Sequence, residues 1–208
     1  MKGKAFKEPI FNGVVEGQIT QFREIINPQP GLMPKSWSEF PLSIHQYYND
    51  FEDKWYYSGE NGTEFIKPRY KVGEVLYLKE PYMLAIAASP NRDDDNVFYK
   101  YSIFGSFQKR GWIKAMPAKY ARYFIEITTV RCERLHDISD EDCVSEGICP
   151  IWNLSRTFII GCSNKSDVVI YNSIKEAYAA LINKINGKGT FDKNPYVWVY
   201  DFKLVNND

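Results

Sequence analysis

The segment spanning residues 116–148, MPAKYARYFIEITTVRCERLHDISDEDCVSEGI, constrains the fold more than any other part of the chain. It predicts a helical turn, one long strand over residues 123–135 and one short acidic helix, joined without slack. Along the strand the apolar residues keep one parity through Tyr123, Ile125 and Ile127, then change to Val130 and Cys132. Successive side chains of a strand point to opposite faces. A pattern that slips by one residue therefore needs an extra residue at the slip. This predicts a β-bulge near Thr128 and Thr129, of the kind found where sheets curl into barrels. Ser139 and Asp142 have capping-box spacing for the acidic helix, and Gly147 ends it.

The last strand, Tyr196–Val205, carries Tyr196, Trp198, Tyr200, Phe202 and Leu204 on one face and Val197 and Val199 on the other. Apolar residues on both faces place it inside the sheet. Residues 8–16 read as a short helix with Pro9 in its first turn and Gly17 at its end, followed by a strand over residues 18–26. A further strand over residues 72–80 has Leu76 and Leu78 in phase with Glu80. A carboxylate in that phase is either paired at a cleft or, if the strand stops at Lys79, solvated. Trp55 and Tyr57 bound a short candidate strand, Val97 resumes another, and residues 152–160 supply one more. Ser173 and Glu176 form a capping-box pattern for a helix with Ile174, Tyr178, Leu181 and Ile185 on one stripe. Several unevenly spaced strands with a few short helices, and no regular βα alternation, predict an α+β, barrel-like fold. The chain reads as one domain over 1–208, with an aromatic-rich insertion at about 31–69.

Lys plus Arg equals Asp plus Glu at 26 each, so a strong global phosphate-binding charge is absent. Locally, residues 99–134 hold eight basic and two acidic residues, while 135–148 hold five acidic residues and no Lys or Arg. This is either a bipolar surface or a set of solvated faces that cancel. Five Trp, fifteen Tyr and thirteen Phe supply core material at about 150–250 Å² each, or stacking surfaces. No apolar run reaches the length of a membrane span, and a cytoplasmic location is expected. None of the four Cys forms a CxxC pair and there are only two His. Reduced thiols, no metal and no cofactor are the expectation.

A set of residues in order carries a resemblance. It runs from Gly17, Thr20 and Arg23, through Tyr70, Lys71, Val72, Gly73, Glu74 and Lys79-Glu80, to Trp112, Met116-Pro117 and Ala121-Arg122. It continues with Ile138-Ser139, Glu141-Asp142, Glu146-Gly147-Ile148, Ile185-Asn186-Gly187-Lys188 and Asn194-Pro195-Tyr196. The chain resembles the ASCH-domain proteins of bacteriophages and prophages, members of the PUA-like superfamily. The resemblance implies a small curled mixed β-barrel with flanking helices, a cleft between the Gly17 turn and the barrel mouth, and binding of RNA or a nucleotide or nucleoside. Some ASCH proteins are similar to acetylcytidine amidohydrolases, whose Gly-x-Lys-Thr-x-Thr pattern and downstream Glu carry the reaction. Here Gly17 and Thr20 match, Ile19 stands at the Lys position, Phe22 stands at the final Thr position, and Glu146 matches the Glu. Isoleucine is no base, and phenylalanine has no hydroxyl nucleophile.

The cleft expected from this resemblance holds Gln18, Thr20, Arg23, Glu80, Arg122 and Glu146. Lys79 or Lys114 stand in for the missing Lys, and Tyr82, Trp112 or Trp198 stack on a base. Arg23 or Arg122 holds a phosphate or pairs with Glu80 or Glu146; an Arg122–Glu146 structural pair and a core Trp198 are the blander alternatives. The functional expectation is a non-catalytic RNA- or nucleotide-binding module, assisted by Lys109, Arg110 and Lys114. Its alternatives are an amidohydrolase of acylated nucleosides with Glu146 as general acid/base, and a phage accessory protein that binds a protein partner through the aromatic insertion.

Overall fold

A computed structural model of the protein describes residues 1–27, 29, 47–49, 54–59, 62–85, 96–102, 111–151, 157–161 and 169–205. In chain order the elements are β1 (Lys2–Ala5), α1 (Ile10–Val15), β2 (Gln21–Ile25), β3 (Tyr47–Asn49), β4 (Lys54–Gly59), β5 (Gly62–Ile66), β6 (Val75–Lys79), β7 (Tyr82–Ala85), β8 (Asn96–Tyr99), β9 (Phe124–Arg134), α2 (Asp140–Ser145), β10 (Ile148–Pro150), β11 (Phe158–Ile160), α3 (Ile174–Asn186) and β12 (Tyr196–Val205). The architecture is mixed α+β. A five-stranded sheet runs in the order β1-β6-β9-β12-β2, with β1 parallel to β6 and the other neighbours antiparallel. A small antiparallel sheet, β3-β4-β5, occupies the predicted insertion, and β7-β8 and β10-β11 form hairpins.

The bulge lies where the parity slip places it. Asp201 pairs with Thr129 and Phe202 with Ile127, so Thr128 has no partner across the ladder. This one extra residue keeps Ile125 and Ile127, before it, on the same face as Val130 and Cys132, after it. All four pack in one core with Leu76, Leu78, Trp198, Tyr200 and Phe202, joined by Phe11, Val14 and Ile19 from α1 and its following turn. On the opposite face of β12, Val197 and Val199 pack beneath α2 and α3 with Leu135, Cys143, Ala177, Tyr178, Leu181 and Ile182. β12 is therefore covered on both sides, as its two apolar faces require. Full burial of a large apolar side chain contributes about 1.5–3 kcal/mol, and this strand supplies such residues to both cores.

The two edge strands of the sheet, β1 and β2, meet through side chains. Phe6 and Phe22 pack edge to face at 5.6 Å, and Lys4 Nζ lies 2.5 Å from Glu24. Among the described residues no backbone ladder joins the two strands. The sheet thus curls until its edges face each other, leaving a seam.

Several local expectations change. α1 is shorter than predicted, with Pro9 at its N-cap. Ser139 does cap α2, its Oγ accepting from Asp142 N at 3.0 Å, whereas the Ser173 side chain makes no capping bond. Ile185 is half exposed, because the buried stripe of α3 runs through Ile174, Ala177, Tyr178, Leu181 and Ile182. Cys132 and Cys143 are buried thiols. Cys149 is disulfide-bonded, which corrects the expectation of reduced thiols throughout. No helix among the described residues is long and apolar enough to cross a membrane.

Candidate functional site

Alternation along β2 sends Phe22 into the core and leaves Gln21 and Arg23 on the outer face. The registers bring polar partners beside them. Val199 of β12 lies between Arg23 of β2 and Arg131 of β9, and Asp201 lies between Gln21 and Thr129. α2 covers this end of the face and adds Asp142 and, at its C-cap, Glu146. The Arg23 side chain is only 1% exposed. Its Nη1 donates to Glu146 and, at 2.7 Å, to Gln21 Oε1. Its Nη2 donates to Glu133 and, at 2.8 Å, to Asp142 Oδ2. Arg131 donates to Asp142 at 2.8 Å and to Asp201 at 2.7 Å, and the Tyr178 hydroxyl donates to Glu146 Oε2 at 3.0 Å.

Four carboxylates thus converge on two guanidiniums, and Glu146 is the most enclosed of them. Burial pushes Glu146 up to about 7, against the attraction of Arg23 and the hydrogen bonds from Tyr178 and Arg23. Asp142 moves the other way: despite burial, hydrogen bonds from Arg23 and Gln21 hold it below the usual carboxylate range. Burial and the neighbouring Glu146 raise the Tyr178 hydroxyl well above its ordinary value, so it stays a donor.

Beside this network, at the seam between β1 and β2, lies a cavity of about 220 Å³. Phe6, Pro9, Phe22, Ile160, Leu181 and Ile182 form apolar walls, and Lys4, Gln21, Arg23 and Glu146 are polar groups in its lining. Lys4 Nζ sits 3.8 Å over the Phe22 ring; burial lowers its pKa, with Glu24 opposing. Gly161 packs directly on Pro9, one of the wall residues. Its φ is +73°, and a Cβ there would lie 2.2 Å from Pro9 Cγ, so only glycine lets β11 approach α1 this closely.

The cavity is not the cleft expected at the Gly17 turn. Ile19, 2% exposed, fills that space. A Cβ on Gly147 would lie 2.7 Å from Ile19 Cδ1, and Thr20 N donates to Ser145 O at 3.0 Å. Gln18 and Thr20 are exposed on this closed turn. Arg23 and Glu146 are brought together in the cavity lining. Lys79, Glu80, Tyr82, Trp112, Lys114 and Arg122 do not line it.

Glu80 and Arg122 form a separate pair, which replaces the Arg122–Glu146 alternative. The Arg122 guanidinium forks onto Glu80 at 2.8–2.9 Å and lies 3.9 Å from the Tyr99 ring centroid. Tyr82 is buried against Tyr120, Lys79 lies over Tyr77, Trp112 is half-buried and Lys114 exposed. Trp198 is core. Lys109 and Arg110 lie outside the described residues. No protein-family model, curated protein or solved structure matches this chain, and the site is read from its own geometry.

Lys4, Gln21 and Tyr178 are site residues that reading the sequence for function does not find. Alternation around Phe22 is the signal that would have paired Gln21 with Arg23. Tyr178 reads as an ordinary stripe residue of α3, and nothing local marks Lys4, because its place depends on the parallel pairing of β1 with β6.

Proposed function

We propose that this chain is a binding module of PUA-like, ASCH type that takes a single nucleobase, free in a nucleoside or splayed from single-stranded RNA, into the seam cavity. The cavity itself carries this reading: small, walled by aromatic and aliphatic side chains, with a few convergent polar groups. Its volume lies below the ~300–1,000 Å³ of pockets for drug-sized ligands, which suits one base-sized ring system. Phe6, half-buried in the wall, offers a stacking face, a contribution of about 1–3 kcal/mol per base. Phosphate contacts contribute less, because the described arginines of the basic segment are engaged: Arg122 and Arg131 in ion pairs, Arg134 on Asn194 O and over the Tyr196 ring.

Titration of nucleosides and short single-stranded RNA, followed by amide chemical shifts, tests the reading. Shifts are expected in β1, β2 and the last turns of α3, and they vanish in Ile185→Trp, which narrows the mouth from an exposed position without disturbing the core. Nucleoside binding indifferent to that change, or no binding, overturns the proposal.

One observation favours a second reading. A buried carboxyl held near 7 inside a cavity has the proton affinity of a general acid/base. An amidohydrolase of acylated nucleosides using Glu146 would turn over acetylcytidine and lose that turnover in Glu146→Gln. The absence of Lys at 19 and Thr at 22 weighs for binding over catalysis.

A further inference from the structure

The residues that line the seam cavity fall into two layers by exposure. Phe22, Leu181 and Ile182 are buried, whereas Lys7, Glu8, Lys184 and Ile185 are exposed. A residue that lines a cavity and also meets solvent stands where the cavity opens. The mouth is therefore made by the chain between β1 and α1 and by the last turns of α3. Packing holds these two stretches together: Ile10 lies against the core cluster that contains Leu181 and Ile182.

Charge is distributed unevenly between the layers. Inside, Lys4 is paired with Glu24, and Arg23 is shared among Glu133, Asp142 and Glu146. At the mouth, Lys7 and Lys184 form no ion pair with any described residue, and Glu8 is the one exposed carboxylate beside them. A lone solvated lysine needs no explanation. These two come from distant parts of the chain and border the same small, apolar-walled opening. The carbonyls that end α3 oppose an anion; Lys184, in that last turn, offsets them, and Lys7 adds a second cation from another element. Neither belongs to the basic segment at residues 99–134, whose described arginines are engaged. A cavity that is apolar within and cationic at its rim suits a ligand with a flat end and an anionic end. A nucleobase joined through its ribose to a phosphate has that build, and lysine binds phosphate as a point charge, without a fixed fork.

We propose that the mouth is a phosphate subsite, in which Lys7 and Lys184 hold the phosphate attached to the ribose of the bound base, so that the cavity prefers a nucleotide unit to the bare nucleoside. This rests on the nucleobase reading above and adds the anionic end of the ligand. The phosphate comes either from a free mononucleotide, as a monoester, or from the backbone of single-stranded RNA, as a diester.

The test uses the full-length wild-type chain. The common ribonucleosides, their 5′- and 3′-monophosphates and dinucleoside monophosphates carrying the same bases are titrated by calorimetry at about 0.05 M salt, where charge is weakly screened. For the base that binds best, a phosphate in one of these positions is expected to raise affinity about fivefold or more, the yield of two solvated ion pairs. Raising the salt to about 0.5 M is expected to remove most of that gain. In the variant carrying both Lys7→Gln and Lys184→Gln, nucleotide and nucleoside are expected to bind within about twofold of each other. Both side chains are exposed, so the variant leaves the core intact, and the wild-type salt series decides independently of it. A gain restricted to monoesters assigns the subsite to free nucleotides; an equal gain with dinucleoside monophosphates assigns it to RNA. No gain from any phosphate, a gain indifferent to salt, or a gain that survives the double substitution would overturn this inference and leave the nucleobase reading standing. Failure of every nucleoside and nucleotide to bind would overturn both.

Discussion

Arg23 with Glu146 and Arg122 with Glu80 bring together the same two side-chain types in different settings. In both pairs the carboxylate is almost fully buried, at 6% and 1% exposure for Glu146 and Glu80. The arginines differ. Arg122 is 27% exposed, gives a fork of bonds to one carboxylate and stacks on Tyr99. Water reaches this pair from the Arg122 side. Arg23 is enclosed and shared among Glu146, Glu133 and Asp142. Burial raises Glu80 as well, with Arg122 opposing it; at Glu146 burial outweighs the attraction of Arg23 and the bonds from Tyr178 and Arg23, and pushes the carboxyl up to about 7. Access to water at the arginine, not residue type, separates a structural pair from one that lines a cavity and responds near neutral pH.

Removing the arginines breaks or sharpens that comparison most directly. Arg23→Met strips the cation from three carboxylates inside the protein and is expected to cost about 3–5 kcal/mol, read as a lowered urea midpoint at pH 7. Arg122→Met is expected to cost about half as much, because solvent can reach the vacated position beside Glu80. Equal losses in the two variants would end the distinction between the pairs.

A smaller effect is expected from Glu146→Gln, and its sign follows from linkage. The folded pKa of Glu146 lies above its ordinary value of 4.5, at about 7. The folded state therefore holds this proton more tightly than the unfolded chain, and the stability contributed by Glu146 falls as pH rises from about 4.5 to about 7. Asp142, shifted down, acts oppositely: its contribution is present above the ordinary carboxylate pKa and is lost as pH falls through the lowered one. Glutamine keeps an acceptor for Arg23 and Tyr178, the groups that bond Glu146, and cannot ionise beside Asp142. Denaturation at pH 5 and pH 8 is expected to show the variant gaining on the wild type by on the order of 2 kcal/mol between those values. Parallel pH profiles would mean that Glu146 is ionised throughout.

The smallest effect is expected at Tyr178→Phe, which removes the hydroxyl bonded to Glu146 Oε2. It leaves that oxygen without its donor at a cost of about 1 kcal/mol, and moves the Glu146 titration further upward, because the lost bond favoured the charged form. A carboxyl titration followed by NMR in both proteins checks the direction.

Much of the fold is legible in local patterns. The slip at Thr128, the two apolar faces of β12, the Ser139 cap and the phase of Glu80 with Leu76 and Leu78 all hold in the structure. Each rests on strand alternation or a first-turn hydrogen bond, which depend on a few neighbouring residues. The site was half legible. Arg23, Arg122, Glu80 and Glu146 stand out in the sequence, but their pairing follows from registers between distant strands, and Ile19 is buried at the Gly17 turn. The Ser173 cap failed for a related reason: spacing makes a capping bond available, and the surrounding chain decides whether the side chain takes it.

By itself the sequence determined that this chain makes a curled α+β sheet with a bulged central strand and a doubly covered terminal strand, since alternation leaves few ways to bury those residues. Only the tertiary structure decided where the edges of that sheet meet. Lys4 of β1 and Arg23 of β2 reach the same cavity through the β1–β6, β6–β9, β9–β12 and β12–β2 pairings, and the cavity and the crowded carboxylates exist only once all four ladders are in register. Pairing across the whole sheet is a property of the whole set of strands, and no single stretch of residues carries it.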